Sequence, residues 1–221
     1  MRLLAIIPAR AGSKRLPRKN IKCFRGKSLV ARTIEFAIKL DIFENILITT
    51  DSKEVADVAK KYQVLVPWLR PKKLSMDNSS SIGFANHAIK WYQSKIRKID
   101  AIVLLQPTSP FRTRKTFLKM LKIFKKNKHS VETVDNNISC TKNMYIVNNG
   151  KLIKISKQNI LNYKKDLLVK INGNLFFNTV ANLKKFKNFT NVKSVPFLLK
   201  NPKEVVDIDT QEDWENAKKF K

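Results

Sequence analysis

Residues that could do chemistry together fall into three short stretches of this chain. The first runs from Leu3 to Asn20, LLAIIPARAGSKRLPRKN. Its apolar start, Leu3 to Ile7, has the character of a buried strand. Directly after it Arg10, Lys14, Arg15, Arg18 and Lys19 gather around a small turn, Ala11-Gly12-Ser13. Pro8 and Pro17 stiffen the entry and exit and keep helix out of the loop. A strand that ends in such a loop suits a phosphate chain, because main-chain N–H groups can approach at Gly12 while the cations neutralise phosphate oxygens. The plain alternative is a solvated basic turn. Neither the glycine spacing of a Walker loop nor a G-x-G-x-x-G fingerprint is present.

The second stretch is Leu104 to Arg112, LLQPTSPFR. Gln106 and Thr108 follow an entirely apolar run, Ala101 to Leu105, where polar side chains are out of place unless a ligand meets them. The competing view is that Pro107 and Pro110 only build a rigid turn. The third stretch, Val206 to Thr210, reads VDIDT. On an extended strand Asp207 and Asp209 are i and i+2, so both carboxylates point to one face. Adjacent carboxylates repel, and a hard divalent cation resolves that; Mg²⁺ typically takes one or two carboxylates plus waters and phosphate oxygens. Otherwise this is a strand end with Asp209 turned to a helix terminus.

Alternating elements must position these stretches. Ser28 opens a helical pattern with Val30, Ile34, Ala37 and Ile38 on one face. Asn45 to Thr50 is a second strand, and Asp51 with Glu54 is expected to cap the helix that runs to Lys61. Val64 to Val66 is a short third strand, Ile82, Ala85, Ile89 and Tyr92 mark another helix, and Ala101 to Leu105 is a central parallel strand. Thr113 to Lys126 is helical, with Phe117, Met120, Leu121 and Phe124 inward. From about His129 to Pro196 the rhythm breaks. Met144 to Ile155 reads as a hairpin around Asn148-Asn149-Gly150 and Leu175 to Asn178 as an apolar strand that looks exposed. Val205 to Asp209 is expected as a last strand, with Thr210 capping a final helix. The alternation predicts an α/β fold with right-handed crossovers and ligands at the carboxyl ends of the strands.

At 221 residues with 43% apolar content, the chain suits one α/β domain. No stretch approaches the roughly 20 apolar residues that span a bilayer. Cys23 and Cys140 lack metal-ligand spacing and are expected to be structural free thiols of a cytoplasmic protein. The net charge of +28 invites a polyanion partner. The excess is mostly lysine, 35 against 10 arginines, and is spread along the chain, as genome composition would also produce. No nucleic-acid recognition signature appears, so no specific nucleic acid is expected. His87 and His129 fall in no motif, and no general base can be named.

The first stretch resembles the N-terminal signature PAR-x-G-S-K-R-[LI]-P-x-K-N of the acylneuraminate cytidylyltransferases. Leu69-Arg70-Pro71 with Ser79, Ser80 and Ser81, then LLQPTSPFR, then VDIDT with Asp213-Trp214, are similar to further blocks of that family. Asn172-Gly173 matches the N-G of its R-x-N-G-A-[IL]-Y segment, although Lys170 stands where the pattern has Arg, Asn174 replaces Ala and Phe176 replaces Tyr. The resemblance implies a three-layer Rossmann-like nucleotidyltransferase fold, mostly parallel, forming one domain over 1–221 with a dimerisation and sugar-binding insertion at about 130–196. It implies a homodimer that uses CTP and Mg²⁺ to activate a nine-carbon 2-keto sugar acid. Arg10, Lys19 and Asp209 would be catalytic, Arg10, Ser13 and Lys19 would hold the triphosphate, and Asn20 and Ser81 would meet ribose and base. Gln106 and Thr108 would meet the sugar, and Asp207 and Asp209 the metal. Ala9, Gly12, Lys14, Arg15, Arg70, Ser79, Lys170 and Asn172 complete the implied substrate contacts. The related enzymes acting on 3-deoxy-manno-octulosonate are the alternative, disfavoured by Arg18-Lys19-Asn20 where they read G-K-P; a non-catalytic polyanion-binding protein is another.

Overall fold

The computed structural model describes residues 1–76, 79–136, 144–155 and 168–220. Its centre is β1 (Leu3–Pro8), with β4 (Asn45–Thr49) parallel on one side and β5 (Ala101–Leu104) parallel on the other. Beyond β5 lie β9 (Leu168–Thr179), β6 (Val131–Asp135) and the edge strand β10 (Val195–Leu198). β6 and β10 are parallel to each other, whereas β9 runs antiparallel to both β5 and β6. The hairpin of β7 (Met144–Asn148) and β8 (Lys151–Lys154) joins through β9, and β2 (Cys23–Phe24) with β3 (Lys27–Ser28) forms a separate ribbon.

Strand parity sorts the core into two layers. Leu3, Ala5 and Ile7 face α1 (Leu29–Leu40), α2 (Lys53–Lys61) and α4 (Arg114–Asn127), whereas Leu4 and Ile6 face α3 (Ser81–Lys95) and α5 (Val180–Phe186). Helices on both sides of the sheet make three layers, as the family resemblance implies. A third cluster ties the ends of the chain together: Leu16 of the basic loop packs with Phe24, Leu29, Ile208 and Trp214 of α7 (Gln211–Lys219). Burying Leu16 stabilises the loop by about 2 kcal/mol. It also fixes the position of its neighbour Arg15.

Several expectations change. Leu65 makes only an isolated bridge to Leu47, so the third strand shrinks to a single pair. The cap of α2 is Ser52, whose Oγ accepts from Val55 N; Asp51 instead accepts from Ala11 N at 2.7 Å and so fastens the basic loop. Ile38 is exposed, because it lies on the solvent side of α1. Within the segment 130–196, β6, β9 and β10 are strands of the main sheet, and the β7–β8 hairpin branches from it through β9. Leu175, Phe176 and Phe177 are buried within this chain, Phe177 against Phe117 and Phe124. The C-terminal VDIDT forms no ladder: α6 (Pro202–Val205) ends at Val205, and the next residues run extended with Ile208 N donating to Thr108 O at 2.8 Å. The alternation survives without the sheet, with Ile208 buried between two more accessible aspartates. Cys23 is exposed and not a core residue, while Cys140 lies outside the described residues.

Candidate active site

Two chambers open at the carboxyl ends of β1 and β5. The first, of about 330 Å³, is built on the basic loop. Thr50 Oγ1 donates to Ala9 O, Asp51 accepts from Ala11 N, and Asn20 Nδ2 donates to Arg10 O at 2.9 Å, so the loop is fastened at three points. Arg10, Ser13, Arg15, Lys19 and Asn20 all line the chamber. Opposite them stand Arg70, Ser79 and Ser81, with Gln106, Thr108 and Asp209 closing the end. Arg70 is nearly inaccessible. Its Nε and Nη2 donate to Thr49 Oγ1 and Thr49 O, and its guanidinium lies 4.8 Å from the centre of the Phe84 ring. Burial draws its pKa down to about 10 against the attraction of Asp51, so it stays cationic at neutral pH.

The second chamber, of about 550 Å³, shares Ser81 and Gln106 with the first. Ile171, Phe176 and Phe189 give it an apolar lining, and Tyr145, Asn172 and Thr190 a polar one. Its cations are Lys154 and Lys187. Gly173 makes room here: its φ is +86°, and a Cβ on it would come 3.1 Å from Gln106 Oε1. Arg112 fixes the same wall from behind, donating to Gln106 O, Ser109 O and Asn174 O.

The carboxylate pair stands where the chambers meet, Asp209 lining the first and Asp207 the second. Arg15 Nη2 lies 2.5 Å from Asp209 Oδ2, and Lys19 Nζ 2.6 Å from Oδ1. Burial alone would raise the Asp209 pKa, but Lys19 and Arg15 outweigh it and hold the carboxyl below its ordinary range. Asp207 is the opposite case. Burial, then the charge of Asp209, pushes it up to about 6. Its Oδ1 and the Thr108 Oγ1 are buried and complete no hydrogen bond of full geometry, although the Thr108 hydroxyl is close enough to favour the charged carboxylate. Asp213 anchors the segment: its Oδ2 accepts from Asp209 N, Thr210 N and Thr210 Oγ1, a capping box at the start of α7.

Four sequence-predicted residues do not line either chamber. Ala9 is buried behind the loop, Gly12 is exposed with open space around it, and Lys14 is outside the lining. Lys170 pairs across the sheet with Asp135, its Nζ 3.8 Å from Oδ1, and borders a third cleft with Val206 and Asp213 that shares Asp207 with the second chamber. Asn172 does reach the second chamber while its Nδ2 donates to Asp135 Oδ2 and Val205 O. Sequence reasoning missed Lys154, Lys187, Tyr145, Phe189 and Thr190. Lys187, the left-handed cap of α5, reaches the chamber only through folding.

A sheet whose strand ends present a cationic loop to a carboxylate pair, across from a second chamber, fits a nucleotidyltransferase. The sequence matches the family model described as Cytidylyltransferase over residues 4–221. The chain belongs to that family. It is 38% identical over 223 residues to the CMP-N,N'-diacetyllegionaminic acid synthase of Legionella pneumophila, covering 100% of this chain and 96% of the relative. It is 34% identical to the pseudaminic acid cytidylyltransferase of Campylobacter jejuni serotype O:23/36, covering 99% and 95%. Among solved structures, a CMP:2-keto-3-deoxy-manno-octonic acid synthetase complexed with CTP superposes with a TM-score of 0.71 at 15% identity, covering 99% of this chain and 97% of that one. That likeness confirms the fold.

Proposed function

We propose that this enzyme transfers the CMP group of CTP to the 2-hydroxyl of a sialic-acid-like nonulosonic acid, releasing pyrophosphate. One observation carries the reading: a cationic chamber and a second, mixed chamber share Gln106 and meet at Asp207 and Asp209. The names of the full-length relatives support the sugar class. In the first chamber Arg10, Ser13, Arg15 and Lys19 would take the triphosphate, with Asn20 and Ser81 toward the nucleoside. The second would hold the sugar, its apolar lining against acyl groups and Lys154 and Lys187 toward the carboxylate. Binding a triphosphate exchanges partners, because Arg15 and Lys19 cannot serve the phosphates and Asp209 equally. Asp209, released from them, would face the α-phosphate together with Asp207.

Two carboxylates, one with an orphaned buried oxygen, fit a hard cation such as Mg²⁺ that takes its remaining ligands from phosphate and water. When bound, Mg²⁺ would supply Lewis-acid stabilisation of charge on the phosphate oxygens. The protein's own part is to align the sugar hydroxyl with the α-phosphorus through Gln106 and Asn172, and to hold the leaving pyrophosphate on Arg10 and Lys19. A cytoplasmic setting belongs to the proposal because CTP is the donor. So does a homodimer. The expected apolar stretch is buried within the chain, and support now comes from Ile153, Val192 and Leu198, exposed on or near the edge strand β10. Pyrophosphate release from CTP across legionaminic, pseudaminic, N-acetylneuraminic and 3-deoxy-manno-octulosonic acids tests the assignment. Turnover confined to nonulosonic acids is expected, and a preference for the octulosonate overturns it.

A further inference from the structure

Arginine is the rarer cation of this chain, and its distribution is uneven. Three of the ten arginines, Arg10, Arg15 and Arg70, line the first chamber, and three others, Arg2, Arg18 and Arg97, pair with Asp100, Glu54 and Glu44. The remaining four gather in one place. Arg25, Arg32, Arg112 and Arg114, with Lys27 and Lys39, line a pocket of about 540 Å³ between α1 and the turn that leads into α4. It shares no lining residue with either chamber. Composition bias toward lysine would not collect arginines, so the cluster calls for a physical cause.

The charge there is not balanced. One carboxylate, Glu35, lines the pocket, and it is already taken by Lys27 Nζ at 2.7 Å and by Tyr62 Oη at 2.9 Å. No ion pair joins any of the four arginines to a carboxylate among the described residues. Their observed partners are main-chain carbonyls: Arg25 donates to Lys218 O, Arg114 to Lys39 O, and Arg112 to Gln106, Ser109 and Asn174. Carbonyls satisfy hydrogen bonds but neutralise no charge; Arg112 feels the charge of Asp207, so the imbalance rests on Arg25, Arg32 and Arg114 with Lys39. Arg25 and Arg32 moreover lie 5.5 Å and 5.6 Å from the same Phe24 ring, two like charges sharing one aromatic partner. Arg32 Nε is buried with no hydrogen-bond partner at all, a costly state for a charged donor.

We propose that this pocket is a second anion site, separate from the catalytic chambers, for a phosphate-bearing ligand of the size of pyrophosphate or a nucleotide. Guanidinium forks match phosphate oxygens two at a time, which suits a di- or triphosphate better than a single carboxylate. An anion would neutralise the excess charge that the exposed Arg25, Lys39 and Arg114 present to the pocket.

The test fills the nucleotide chamber first. With α,β-methylene-CTP saturating, calorimetric titration of sodium pyrophosphate into the full-length protein should show one further site, and a parallel titration with CMP separates an inorganic from a nucleotide ligand. Arg32→Gln should weaken that site at least tenfold and leave α,β-methylene-CTP affinity unchanged. The double variant Lys39→Gln/Arg114→Gln, altered only at exposed positions, should do the same and keeps the test available if Arg32→Gln does not fold. Sulfate should bind at least tenfold more weakly than pyrophosphate. Absence of a site on the saturated protein, binding insensitive to both variants, or sulfate binding as tightly as pyrophosphate would each overturn the proposal.

Discussion

Replacing Asp207 by Asn should stabilise the metal-free protein while abolishing its activity. The ionised carboxylate sits in a buried setting beside Asp209, and its pKa rises from 3.8 to about 6. That rise corresponds to at most about 3 kcal/mol of strain on the charged form at neutral pH. Asn keeps the shape without the charge, and its amide gives the Thr108 hydroxyl a neighbour able to donate. Allowing for partial solvation and imperfect hydrogen bonding, the gain should be about 1–2 kcal/mol, or roughly 3–6 °C in Tm for a domain of this size. The sign follows from linkage. The folded pKa lies above the unfolded one, so the strain is fully present above about pH 6, shrinks as pH falls toward the unfolded value of 3.8, and is gone only well below it, where both states are protonated. Asp209 runs the other way: its lowered pKa contributes stability above the ordinary carboxylate range that is lost as pH falls through the folded value. Thermal unfolding in EDTA from pH 4 to 8 reads the effect. A Tm for Asp207→Asn that equals or falls below the parent at pH 7.5, or a difference that does not shrink on acidification, would refute the reasoning.

Gly173→Ala should cost about 1–2 kcal/mol, since its positive φ suits glycine and the new Cβ meets Gln106 at 3.1 Å. The displaced Gln106 should raise the sugar KM by roughly fivefold or more, which steady-state kinetics will show. Lys154→Met and Lys187→Met should each raise the sugar KM about tenfold with the CTP KM within about threefold. Lys170→Met should do less, because its charge is directed to Asp135. A larger effect at Lys170 than at either chamber lysine would reverse that assignment. Light scattering at micromolar concentration should show a dimer; a strict monomer removes that part of the proposal.

Most of the first chamber was legible because two short contiguous stretches build it. Arg10 to Asn20, and Gln106 with Thr108, are carried to their places by β1 and β5, whose apolar runs are unambiguous. The second chamber was legible only in part. It is assembled from β8, β9 and the turn after α5, and no local pattern announces that Lys154 and Lys187 line one chamber with Gln106. For Lys170, alignment to a motif gives a position along the strand, not the partner opposite it, and Asp135 lies 35 residues away in sequence. VDIDT read as a strand because its alternation is real. What holds it extended is a single bond to Thr108 and the Asp213 cap, with no neighbouring strand.

The central claim is that one reaction runs across the two chambers, joining the CMP of CTP to the sugar acid. Phosphorus NMR of the protein with CTP, Mg²⁺ and N,N'-diacetyllegionaminic acid tests it directly. Phosphodiester and pyrophosphate signals should grow in equal amounts, and neither should grow with EDTA. CTP broken down to CMP without a diester, or left intact with every nonulosonic acid offered, would contradict the account.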